Sequence, residues 1–125
     1  MVALKQLLVV VATLIWMPPA FAEPDASSAN WLMEGCKSAI LREGGASPDR
    51  HMAFKRGICL GQIAAIRYFG SSLETQPKPC VPPETTIIQL TKVVVAYLDQ
   101  QPKRLHLSFL FLAEEALSET WPCKK

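Results

Sequence analysis

Apolar residues recur along this chain at the three- and four-residue spacing of helices, and prolines separate the runs. Proline removes a backbone donor and clashes with the preceding turn. Pro48, the group Pro77, Pro79, Pro82 and Pro83, then Pro102 and Pro122 therefore mark breaks and leave four long windows. The first, about 30–43, places Leu32, Cys36, Ala39 and Ile40 on one face, and Gly44-Gly45 ends it. Ser47-Pro48 has the form of an N-cap followed by a first-turn proline, opening a second helix over about 48–71. That helix carries Met52, Cys59, Ile63 and Ile66, with Phe54, Ile58, Ala65 and Phe69 on a second flank. Two apolar flanks predict a central helix buried on more than one side. Gly57 and Gly61 form a G-x-x-x-G, which predicts close contact with another helix.

The third window, about 83–100, aligns Ile87, Leu90, Val94 and Tyr97, with Ile88, Val95 and Leu98 beside them. Val93-Val94-Val95 has strand propensity, but the length and spacing favour helix. The fourth, about 102–120, aligns Leu105, Phe109, Leu112 and Ala116, flanked by Leu110, Ala113 and Leu117, and places His106 in its first turns. The expected fold is all-α: a small bundle of about four helices arranged as two helical hairpins.

Residues 1–22 differ from the rest, with 17 apolar positions. Lys5 precedes an uncharged run from Leu7 to Met17, Pro18-Pro19 ends it, and Ala20-Phe21-Ala22 precedes Glu23. This is the form of a secretory signal peptide cut between Ala22 and Glu23. The apolar run would rise about 16 Å as a helix, against roughly 30 Å of hydrocarbon. No second long apolar run follows. The expectation is a signal over 1–22, a single domain over 23–125 and no membrane span after cleavage. With 13 Lys+Arg against 11 Asp+Glu, the net charge of +2 gives no reason to expect nucleic acid as a partner.

Export changes how the cysteines read. Cys36, Cys59, Cys80 and Cys123 make an even set in a small exported domain, which implies two disulfides. Spacings of 23, 21 and 43 residues, with no C-x-x-C, do not fit a zinc site. In a pair of antiparallel helices, residues at one height lie equally far from the turn. The midpoint of 36 and 59 falls at Ser47-Pro48, and that of 80 and 123 at Gln101-Pro102. The predicted pairs are Cys36–Cys59 and Cys80–Cys123, each across its own turn.

Catalytic chemistry is not evident. Ser108 is two residues from His106 and so on another side of a helix, and all four cysteines are assigned to disulfides. Glu114-Glu115 read as a solvated helix face. No haem, zinc-protease, nucleophile-elbow or phosphate-loop motif occurs, so no catalytic residue, metal or cofactor is assigned.

An ordered series across the second half points to a family. Cys80-Val81-Pro82-Pro83, Gln89-Leu90-Thr91-Lys92-Val93-Val94, Tyr97-Leu98, Pro102, Leu105-His106, Ala116-Leu117 and Trp121-Pro122-Cys123 together resemble the Rap/Tai-type immunity proteins of bacterial type VI secretion. Cys59-Leu60-Gly61-Gln62-Ile63 resembles the family's Cys-x-Gly-Tyr-Ile segment, departing at Gln62 and again at Ala65, where glycine is common. The resemblance covers about residues 31–123. It implies a small all-α protein of the periplasm of a Gram-negative bacterium, often dimeric, that binds and inhibits a peptidoglycan amidase toxin. It implies inhibition by binding, with no catalytic residues to carry over.

Loops are free to differ between partners while helix faces supply the core. The expected toxin-binding segments are therefore 43–50 and 71–79, with Glu43, Ser47, Arg50, Ser72 and Glu74 as candidate contacts. Two other functions fit the same composition: a small periplasmic disulfide-bonded chaperone of the acid-resistance type, and a small exported hydrolase.

Overall fold

The computed structural model describes residues 25–41, 49–72 and 78–124. The signal segment, its Ala22–Glu23 junction, and candidates Glu43, Ser47 and Glu74 lie outside them. Four α-helices form the domain: α1 (Ala29–Ile40), α2 (Arg50–Phe69), α3 (Ile87–Asp99) and α4 (Phe109–Thr120). Single 3-10 turns follow α2 (Gly70–Ser72) and precede α4 (Pro102–Arg104). The described residues contain no strand, only isolated antiparallel bridges joining Ser28 to Ser108 and Pro79 to Pro122.

Side-chain caps set three of the helix starts. Ser28 accepts from the Trp31 amide, Asp49 from Met52 at 2.8 Å, and Thr86 from Gln89 at 3.1 Å. Helix α2 thus begins at Arg50 and not at Pro48, because the Asp49 carboxylate is the acceptor at its first turn. The fourth window starts late for a different reason. The carbonyls of Leu105 and Leu107 accept from the amides of Asn30 and Ala29 at 2.8 and 3.0 Å, and Ser27 accepts from Phe109 at 2.8 Å. Residues 105–107 therefore satisfy orphan donors at the start of α1, and their carbonyls are not available to an α-helix. His106 accordingly lies in a turn and not within α4.

The core is one cluster. Leu32, Ile63, Leu90, Leu98, Phe109, Leu112 and Leu117 are fully buried in it. Helices α1 and α2 each touch the other three helices, and they pack most closely on one another. Helix α2 buries one line, Lys55, Cys59, Ile63 and Ile66. Its second apolar flank divides: Ile58 is half-buried against the core, whereas Ala65 is exposed, Phe54 is 61% and Phe69 64% exposed. A Cβ added at Gly57 or Gly61 would meet nothing within 4 Å, so that pair makes no helix contact. The close approach is at Gly35, where a Cβ would lie 2.5 Å from the Lys55 carbonyl carbon.

Both predicted disulfides are present, Cys36–Cys59 and Cys80–Cys123, with Cα separations of 5.5 and 4.9 Å. The first joins α1 to α2 in the core. Around it Trp31 meets His51 and Phe54, Gly35 meets Lys55, and Ser38 Oγ accepts from Arg56 at 3.2 Å. The pairing is as expected. The second disulfide joins the segments flanking the α3–α4 pair, beside a bond from the Cys80 amide to the Trp121 carbonyl at 2.8 Å.

Candidate functional site

The two sequence-predicted binding segments flank opposite ends of α2. Arg50 is its first residue, and exposed Ser72 closes the 3-10 turn after its last. Twenty helical residues set these ends about 30 Å apart. The fold therefore does not gather the candidates into one loop cluster. It links them by the outer stripe of α2, on which Arg50, Phe54, Gly57, Gly61, Ala65, Tyr68 and Ser72 follow at helical spacing. Tyr68 is 69% exposed, and the two glycines leave the middle of the stripe flat.

At the Arg50 end the structure assembles a group that sequence reading missed. Trp31 on α1 meets the rings of His51 and Phe54 edge-on, each with centroids 6.2 Å apart. Lys55 is buried beneath them, its Nζ 5.0 Å from the Trp31 ring centroid. The ammonium donates to Glu34 Oε2 at 2.7 Å. That bond, and then the lysine's charge, hold the Glu34 carboxyl below its ordinary range. A legible signal existed. Lys55 falls in line with Met52, Cys59, Ile63 and Ile66, and a lysine on the buried line of a helix calls for a partner.

A second polar group closes the α3–α4 pair. Arg104 donates to both oxygens of Glu115, at 3.2 and 2.5 Å, and to the Tyr97 hydroxyl at 3.3 Å. The Arg104 bond lowers the Glu115 carboxyl, while partial burial raises that of Glu114. Glu114-Glu115 is thus not a plain solvated face: both residues are half-buried, and one is paired. His51 and His106 are both exposed and lie on different elements. Among the described residues no three His, Cys, Asp or Glu side chains gather where they could hold a metal ion.

Compared with protein families, residues 28–123 match the model for Rap1a immunity proteins. The chain belongs to the Rap1a immunity protein family. The match runs from the α1 cap, Ser28, to Cys123 of the second disulfide, so it takes in all four helices and both crosslinks. Comparison with curated proteins and with solved structures gave no match. Membership makes this an immunity protein directed against a secreted effector, with a cognate toxin as its partner. Its two disulfides suit an oxidising compartment, and none of the described helices is long and apolar enough to cross a membrane.

Proposed function

We propose that this protein is exported to the periplasm of a Gram-negative cell, where it binds a peptidoglycan amidase effector delivered by type VI secretion and blocks its active-site cleft. Membership of the Rap1a immunity proteins over the whole helical domain carries the reading. The N-terminal pattern ending at Ala22–Glu23 supports export, and two crosslinks within so small a domain support an oxidising destination. Protection comes from binding, without turnover, and the mature chain starts at Glu23.

The face used is the outer stripe of α2 with the segments at its two ends. It carries the Arg50 and Ser72 candidates, together with Glu43, Ser47 and Glu74 from the flanking loops. Exposed Phe54, Tyr68 and Phe69 supply the aromatic anchors that dominate interface energetics. The test is titration of the mature protein against small Cys/His peptidoglycan amidases, beginning with any encoded beside it, followed by peptidoglycan hydrolysis. Stoichiometric inhibition is the expected result. An amidase that is neither bound nor inhibited defeats the reading. Client binding that appears only after acid loss of the folded form would favour the chaperone function instead.

A further inference from the structure

The first turn of α2 is held in place against its own charges. Arg50 and His51 are its first two residues, where the positive end of the helix dipole opposes cations, and α2 contains no Asp or Glu. Two carboxylates from outside the helix anchor it. Asp49 is the cap, accepting from the Met52 amide at 2.8 Å. Glu34 on α1 accepts from Lys55 Nζ at 2.7 Å; the lysine side chain is 9% exposed and the glutamate 63%. Trp31 adds its edge-on contacts to His51 and Phe54. Beyond this turn the hold on α1 no longer depends on a carboxylate. Gly35 lies against the Lys55 backbone, Arg56 donates to Ser38 Oγ, and the Cys36–Cys59 bond follows.

From this arrangement we infer that residues 50–54 form an acid-released catch: protonation of Asp49 and Glu34 lets the first turn of α2 unwind while the rest of the domain stays folded. A neutral carboxyl is a weaker acceptor at the cap, and at Glu34 it leaves the buried Lys55 ammonium without its counter-charge. Acid also charges His51, next to Arg50 at the positive end of the helix. The three changes act in one direction. Lys55 holds the Glu34 carboxyl below its ordinary 4.5, so that anchor is complete above this value and is lost as pH falls through the lower one. The unwinding stops at Lys55, where the Gly35 contact and the disulfide take over. Arg50 and exposed Phe54 belong to the face proposed above for the effector, so release of the turn disarms that face. This last step rests on the immunity reading; the catch itself does not.

Two measurements test it. In the first, the Cα chemical shifts of the mature protein are followed by NMR from about pH 7 to about pH 3. Those of residues 50–54 should reach random-coil values below about pH 4.5, before those of α3 and α4 change. A first turn that persists until the whole domain unfolds, or that is lost together with the other helices, overturns the catch. Asn caps a helix as well as Asp does, and Met fills the place of Lys55 without a charge. Asp49→Asn/Lys55→Met should therefore keep the turn helical throughout, and release at an unchanged pH in that variant overturns the assignment. Glu34→Gln should release the turn already at neutral pH with α3 and α4 intact; a turn unaffected there removes Glu34 as an anchor. In the second, the affinity for a peptidoglycan amidase that the protein binds is compared above and below the release pH. The parent should lose about tenfold or more on release, and Asp49→Asn/Lys55→Met should not. Equal losses overturn the link between the catch and the binding face. A parent that binds no amidase defeats the immunity reading, and the NMR titration still decides the catch.

Discussion

Gly35 of α1 lies against the backbone of Lys55 on α2, so close that a Cβ would stand 2.5 Å from the Lys55 carbonyl carbon and 2.8 Å from the Arg56 nitrogen. Those atoms belong to a helix and have no rotamer by which to move away. The Cys36–Cys59 bond lies one residue along and locks the same approach.

Gly35→Ala is therefore expected to destabilise the domain by about 1–3 kcal/mol, the usual range for overpacking. Gly61→Ala should do the reverse, since its Cβ meets nothing and alanine is favoured over glycine in helices by about 1 kcal/mol. Thermal melts of the two variants test the pair. Equal melting temperatures would mean that α1 and α2 are not in backbone contact at Gly35.

The two disulfides should differ in accessibility. Cys36 and Cys59 are fully buried, whereas Cys80 is exposed and Cys123 half-buried. Under native conditions a mild thiol should open Cys80–Cys123 first and leave Cys36–Cys59 until the core unfolds. Timed alkylation with peptide mapping reads the order. Each bond contributes about 3–4 kcal/mol in the chain-entropy model, so Cys36→Ala/Cys59→Ala should lower the melting temperature even under oxidising conditions.

Acid should act through Glu34 and Glu115. Both carboxyls are held below the ordinary 4.5, Glu34 by the bond from Lys55 and Glu115 by that from Arg104. Their stabilising effect is complete above that value and is lost as pH falls through the lower folded-state values. Glu114 is raised by burial and has the opposite sign, so its protonation favours the folded form as acid is added. The melting temperature should hold down to about pH 4.5 and fall below it. Glu115→Gln should flatten the fall, and an unchanged acid limb in that variant would remove Glu115 from the account.

Partner binding should depend on the outer stripe of α2. Phe54→Ala and Tyr68→Ala, both at exposed positions, should leave stability within about 0.5 kcal/mol of the parent. Each should weaken effector binding, with losses of about 2 kcal/mol if they act as hot spots. Calorimetric titration of the two variants is the check. Full affinity in both, with loss only in Arg104→Ala, would move the interface to the α3–α4 end.

Much of the architecture is local and so could be read from the chain. Prolines at 48, 77–83, 102 and 122 limit where helices can run, and apolar spacing marks the lines that α1, α3 and α4 bury. The ordered Cys-Pro, Tyr-Leu and Trp-Pro-Cys segments carried the family, which the match over 28–123 now shows. The even set of cysteines implied two disulfides, and placing each midpoint on a proline-marked turn picked the pairs that are present, Cys36–Cys59 and Cys80–Cys123.

What the chain alone did not determine depends on which surfaces meet. Helix α2 has two apolar flanks, and nothing local says that the Cys59–Ile63 line and Ile58 pack on the core while Phe54 and Phe69 face out. Gly35 and Gly61 are equally bare residues within helices; only the packing of α1 on α2 makes one indispensable and leaves the other open. Residues 105–107 have the spacing of a helix, yet their carbonyls go to the amides of Ala29 and Asn30, some 75 positions earlier. The Glu34–Lys55–Trp31 group likewise joins residues more than 20 positions apart. Propensity and spacing act over one or two turns of helix, whereas these choices are made by contacts that exist only once the helices have packed.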